Sequence, residues 1–161
     1  MSERVDSFAP IAGPRARLLI VGSIPGARSL QAGQYYAHPQ NAFWPIVGAV
    51  LGFDHAQPYP ERTRQLRRHG VALWDVLQSC ERAGSLDSAI VADSVRVNDF
   101  AAFFARHRRI DRVLCNGGTA FAKFDRLVRP ELAASGIVPT VVRMPSTSPA
   151  HAGLSRAGKL A

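Results

Sequence analysis

Only two cysteines occur in the chain, Cys80 and Cys115, and no Cys-x-x-Cys pair. A zinc or iron–sulfur site held by four cysteines is therefore excluded within one copy of the chain. A disulfide scaffold is excluded on the same count, and a reducing, cytoplasmic compartment is expected. Long apolar runs are missing too. The longest strongly apolar run is Leu18-Leu19-Ile20-Val21, far short of the roughly 20 residues of a membrane-spanning helix. The first residues, Met-Ser-Glu-Arg-Val-Asp, carry acids and no apolar stretch behind a basic start, so they do not read as a secretory signal. Lysine is nearly absent. Lys123 and Lys159 are the only two, and neither falls in a motif described below, which argues against Schiff-base chemistry. The Gly-Lys-Ser/Thr ending of a P-loop, the Gly-x-Gly-x-x-Gly dinucleotide fingerprint and the Gly-x-Ser-x-Gly elbow do not occur.

What is present is a chain of 161 residues with 47% apolar side chains. That is enough for one globular domain over 1–161 with a real core. The formal net charge is +8, and 18 of the 20 basic residues are arginine. Arginine grips phosphate oxygens with a planar fork, so nucleic acid is a natural partner. A solvated basic surface from an arginine-biased composition fits the charge equally well. No heptad or exposed apolar stripe marks a permanent protein partner, and a monomer is expected.

Four apolar runs of β type stand out: Arg17 to Ser23, Val71 to Val76, Ile110 to Asn116 and Ile137 to Met144. Each is rich in Val, Ile and Leu without clean alternation, as in a sheet covered on both faces. Between them lie helix-like stretches at Asn41 to Leu51, Arg62 to His69, Val97 to His107 and Thr119 to Val128. Asn98 or Asp99 is a candidate cap for the third of these and Thr119 for the fourth. The alternation predicts a three-layer α/β/α domain around a central four-stranded, mostly parallel sheet. In such sheets ligands bind at the carboxyl ends of the strands.

The loops at those ends carry the chemistry. The first strand runs into Gly22-Ser23-Ile24-Pro25-Gly26, a tight turn that lets a ligand approach the backbone. The segment Tyr35-Tyr36-Ala37-His38-Pro39-Gln40-Asn41-Ala42-Phe43-Trp44 gathers aromatics, a His-Pro and an Asn. Phe43 and Trp44 read as core anchors; Tyr36, able to stack on a base, and Asn41 read as functional. The last strand ends in Met144-Pro145-Ser146-Thr147-Ser148-Pro149-Ala150-His151. Two prolines stiffen three hydroxyl residues that can bond phosphate, and such a loop can also wedge into a base stack. Asp75 and Asn116 end the second and third strands. Asp75 reads as a helix cap or as an acid–base group; Asn116 reads as a cap or a base contact. Arg82 with Ser85 can bind phosphate, although solvation is the commoner fate of an arginine.

GSIPGARSL with YYAHPQNAFW and MPSTSPAHA resembles the uracil-DNA glycosylase superfamily, most closely its hypoxanthine-DNA glycosylase branch, also called DNA-deoxyinosine glycosylase. YAHPQNAFW is also similar to a motif of the mismatch-specific uracil/thymine glycosylases. The resemblance implies a DNA-repair hydrolase in base excision repair. It would flip a deaminated base out of the stack and hydrolyse its N-glycosidic bond, leaving an abasic site. Hypoxanthine is the foremost substrate implied, with uracil and xanthine next, on damaged duplex or single-stranded DNA. Ile24 stands where the mismatch-specific branch carries a water-positioning Asn, and Met144 where several uracil enzymes carry a His. The resemblance therefore hands the catalytic role to Asn41, with Asp75 its rival. Gly22, Ser23, Ile24, Pro25, Gly26, Tyr36 and Asn116 are then the base pocket. Pro145, Ser146, Thr147, Ser148, Pro149 and His151 are the DNA-binding loop. No metal and no cofactor are called for, and a monofunctional enzyme is expected. The competing reading is a non-catalytic nucleic-acid-binding module that keeps the fold. A hydrolase or transferase for free nucleotides fits the +8 charge less well.

Overall fold

A computed structural model describes residues 3–148. The central sheet has four strands in the order β3-β2-β6-β7. They are β2 (Leu18–Gly22), β3 (Val71–Asp75), β6 (Arg112–Asn116) and β7 (Thr140–Met144). All three pairings are parallel. The four runs read from the sequence are these strands, each shortened where apolar residues belong to the approach rather than the ladder. A second, antiparallel sheet was not legible in the sequence. It has the order β1-β4-β5, from β1 (Glu3–Asp6), β4 (Leu77–Arg82) and β5 (Arg96–Val97).

Among the described residues six α-helices connect the strands: α1 (Ala27–Ala32), α2 (Phe43–Leu51), α3 (Tyr59–Arg68), α4 (Phe100–Arg106), α5 (Gly118–Lys123) and α6 (Arg129–Ala134). A π-helical segment, Phe124–Val128, joins α5 to α6 where one short helix was expected. Asp99, not Asn98, caps α4, its carboxylate accepting from Ala102 N–H at 3.0 Å. Thr119 is not a cap, because α5 begins a residue earlier, after Gly117.

Side chains alternate across β2. Leu19 and Val21 enter a core with Trp74, Phe100, Phe103, Phe104 and Phe124. Leu18 and Ile20 pack on the opposite face against Tyr35, Phe43, Trp44, Leu66 and Leu73. Both faces of the sheet are thus covered, giving the expected three layers. Each fully buried Leu or Val in these clusters contributes about 1.5–3 kcal/mol relative to exposure. That burial holds the strands in a register that puts Gly22 beside Asp75 and Asn116 beside Met144. The sequence-selected loops therefore leave one edge of one sheet.

Candidate active site

A cavity of about 730 Å³ opens at that edge, within the ~300–1,000 Å³ range of small-molecule and base pockets. It is lined by Gly22, Ser23, Ile24, Pro25, Gly26, Tyr36, Asn41, Asp75, Asn116, Ser146, Thr147 and Ser148. The fold thus brings together residues from five separate stretches of the sequence. Pro145 is exposed beside the lining loop and is not part of the cavity wall. Pro149 and His151 lie outside the described residues.

Asp75 forms the floor. It is 3% exposed and is the last residue of β3. The helix-cap reading is overturned, because the chain continues through Val76 directly into β4. Burial, then the neighbouring Asp87 carboxylate, push the Asp75 carboxyl up to about 7, and the Arg82 guanidinium opposes the shift. Asp75 Oδ2 is buried without a hydrogen-bond partner. The main-chain carbonyl of Asp75 accepts from Asn98 Nδ2 at 2.8 Å, which explains why Asn98 does not cap α4.

Tyr36 stands over this floor. Its φ of 54° is the single positive value at a non-glycine residue among the described residues. A bulky residue there stores local strain of order 1–3 kcal/mol, a cost met where the surroundings over-determine the conformation. Here its ring stacks on Phe43 at a centroid distance of 4.1 Å and an interplanar angle of 15°. One ring face is therefore already covered, and the hydroxyl is the part turned toward Asp75. That hydroxyl is buried with no partner in hydrogen-bond geometry. Burial, then Asp75, raise its pKa well above the ordinary phenol value, while the nearby Asn116 amide works in the other direction. Phe43 and Trp44 are core anchors, at 2% and 3% exposure, and Trp44 Nε1 donates to the Tyr35 carbonyl at 2.9 Å.

Asn41 precedes α2. Its Oδ1 accepts from Phe43 N–H at 2.9 Å, and an amide oxygen has a second lone pair for another donor. Asn116 does not cap α5 but lines the cavity, with its amide held by the final loop. Its Nδ2 donates to Thr147 Oγ1 and its Oδ1 accepts from Thr147 N–H, both at 2.9 Å. The Thr147 carbonyl accepts from Ala42 N–H at 3.0 Å, tying the final loop to the Asn41 segment. A β-carbon on Gly117, whose φ is 97°, would stand 3.0 Å from Ser146 Cβ, so that close approach needs glycine. Ile24 is 7% exposed and part of the core, so its side chain brings no polar group to the site.

The opposite wall was missed by sequence reasoning. It comes from the segment Ser85 to Ser88. Ser23 Oγ donates to Asp87 Oδ1 at 2.7 Å, and Ala27 N–H donates to Ser85 Oγ at 2.9 Å. Arg82 is 1% exposed, so neither phosphate binding nor solvation describes it. It donates to the Pro25 carbonyl at 2.7 Å and the Gly84 carbonyl at 2.8 Å. The signal was there as Arg82 followed by the polar turn Ser85-Leu86-Asp87-Ser88, but nothing local says where that turn folds.

The architecture and the site define an α/β domain with a pocket of mixed polar and apolar lining at the carboxyl ends of a parallel sheet. The profile of the Uracil DNA glycosylase superfamily matches residues 10–159, and the chain belongs to that superfamily. It is accordingly a DNA glycosylase, a hydrolase of N-glycosidic bonds acting on DNA. It is 34% identical over 113 residues to a "Hypoxanthine DNA glycosylase" of Methanosarcina barkeri, covering 70% of each chain. It is 30% identical over 123 residues to a protein of the same name from Methanosarcina acetivorans, covering 76% of each. A solution NMR structure of a candidate uracil DNA glycosylase from Methanosarcina acetivorans superposes with a TM-score of 0.80. That pair shares 27% identity, with 98% of this chain and 92% of the other covered. No helix among the described residues is long and apolar enough to cross a membrane.

Proposed function

We propose that the chain removes deaminated bases from DNA, hypoxanthine foremost, by base flipping and attack of water on the sugar. The observation that carries this reading is the pair of orphaned polar atoms at the cavity floor, Asp75 Oδ2 and Tyr36 Oη. Buried polar groups without partners are rare and call for an explanation, and a ligand is one. Deamination converts a ring nitrogen with a lone pair and its neighbouring amine into a ring N–H beside a carbonyl. An acceptor next to a donor suits that edge: Asp75 in its ionised form takes the N–H and the Tyr36 hydroxyl bonds the carbonyl. Adenine and cytosine present a lone pair where Asp75 expects a proton. The two relatives named for hypoxanthine support the purine as first substrate.

In this reading Asn41 orients the water through Oδ1. Positioning is sufficient, because positive charge develops on the sugar and the water needs little activation as a nucleophile. Pro145, Ser146, Thr147 and Ser148, with Pro149 and His151, hold the backbone or fill the vacated stack. The Gly22–Gly26 turn lets the leaving base lie against the main chain, whose N–H groups would stabilise its charge. The reaction exchanges one water for one base and leaves an abasic site.

Base release from end-labelled duplexes carrying one hypoxanthine, uracil or xanthine tests the proposal. Strand cutting only after alkali, strongest at hypoxanthine, is expected. Binding without release on all three would refute it and favour the non-catalytic module.

A further inference from the structure

The turn from Gly22 to Gly26 has no acidic side chain, yet a carboxylate stands against it. Asp87, 64 residues beyond Ser23, accepts the Ser23 hydroxyl at 2.7 Å. This exposed acid is held in place. The segment carrying it is fastened to the turn and its exit by the Ser85–Ala27 bond and by the buried Arg82, which spans the carbonyls of Pro25 and Gly84. The hydroxyl of Ser23 itself sits on a residue only 8% exposed, so the direction of its bond is set by the core.

Depth separates the two acids of the cavity. Asp75 is closed in at the floor, whereas Asp87 is exposed at the mouth. A nucleotide swung out of a duplex enters base first, because its sugar and phosphates stay joined to the strand. The floor then meets the base and the mouth meets the sugar. A carboxylate at the mouth repels phosphates and so costs affinity for DNA. That is an odd feature to pin so firmly in a chain of net charge +8. What gains from it is positive charge, and breaking an N-glycosidic bond places positive charge on the sugar ring.

We propose that Asp87 is the carboxylate that stabilises the developing sugar cation, delivered to the Gly22–Gly26 turn from another segment and aimed by Ser23. The inference rests on the glycosylase reading above. In the step, the bond from the anomeric carbon to the base breaks and its electron pair leaves on the base. The oxygen of water bonds to that carbon, water loses a proton and the base gains one. Asp87 exchanges no proton and contributes charge alone.

The test is single-turnover base release by the full chain on a duplex with one deoxyinosine, comparing wild type, Asp87→Asn, Asp87→Glu and Ser23→Ala. Affinity is measured in parallel for the same duplex carrying the non-hydrolysable 2′-fluoro-deoxyinosine. Asparagine keeps an acceptor for Ser23 and removes the charge. The expected result is a rate about tenfold or more below wild type for Asp87→Asn, with affinity for the uncleaved duplex equal or tighter. Asp87→Glu should recover part of the rate, and Ser23→Ala should lose less than Asp87→Asn. A rate for Asp87→Asn within about twofold of wild type, or a loss matched by an equal loss of affinity, overturns the inference while leaving the glycosylase reading intact. Absence of base release by wild type overturns both.

Discussion

Gly22 and Asp75 face each other across β2 and β3 so closely that a β-carbon on Gly22 would stand 2.6 Å from Asp75 Oδ1. The same carbon would lie 3.0 Å from the Tyr36 hydroxyl. One hydrogen atom at position 22 thus leaves room for both polar groups of the floor. Gly22→Ala must displace them, and overpacking of this kind costs about 1–3 kcal/mol. We expect a lower melting temperature and base release reduced by roughly 10²-fold or more, because misplacement of about 1 Å at a reacting centre has that effect. Thermal melts and single-turnover rates measure the two effects separately.

The raised pKa of Asp75 makes stability depend on pH. Burial pushes its carboxyl up to about 7 in the folded chain, against about 3.9 for an ordinary aspartate. Between those values the folded state holds a proton that the unfolded state has released. Stability therefore falls as pH rises from about 4 to 7 and levels off above, by an amount on the order of a few kcal/mol. The groups that set the shift are burial, Asp87 and Arg82, with the Tyr36 hydroxyl close by. Asp75→Asn should flatten this part of the profile and gain stability over wild type most at pH 8. Urea titrations across that range check it; parallel curves for the two proteins would contradict it.

Tyr36→Phe separates the hydroxyl from the ring. The hydroxyl has no partner in the fold, so its removal should leave stability within about 1 kcal/mol of wild type or above it. The ring stacked on Phe43 remains. Base release should nevertheless fall, and Tyr36→Ala should lose about 3 kcal/mol of stability as well. Denaturation midpoints beside release rates for the two variants give the comparison.

Asn41→Ala should reduce base release by about 10²-fold or more while duplex affinity is kept. The lost bond to Phe43 N–H at the start of α2 should cost about 1 kcal/mol. Activity close to wild type would move the water-positioning role to Asp75, and Asp75→Asn would then abolish release.

Arg82→Met keeps an unbranched apolar stem and removes the guanidinium. The Pro25 and Gly84 carbonyls lose their donor, and two charge-assisted bonds at about 1.5–3 kcal/mol each are forfeited. The segment bearing Ser85 and Asp87 should loosen from the turn, which faster amide exchange at Ala27 would report.

Much of the fold could be read from local pattern. The runs around Leu18, Val71, Val113 and Val141 are apolar on successive residues, as strands covered on both faces must be. The second sheet escaped because β4 follows Asp75 without a break in apolar character and β5 is two residues long. Asp75 was open between cap and functional group because a helix and a strand after it are both compatible with Val-Leu-Gln-Ser-Cys. Asn116 lines the cavity, but its tie to Thr147, 31 residues away, could not be read from the sequence, because an asparagine at a strand end has no assigned partner until the fold is known.

The sequence by itself determined the four parallel strands and the main helices between them, and with them the loops that gather at the carboxyl ends of the sheet. Those depend on the spacing of apolar residues and on turn chemistry, which act over a few positions. Only the tertiary structure decided that Arg82 is buried and that Asp87 stands against Ser23. Only it decided that burial and Asp87 push the Asp75 carboxyl up to about 7. Desolvation and charge proximity are properties of packed neighbours, and here those neighbours come from segments dozens of residues apart.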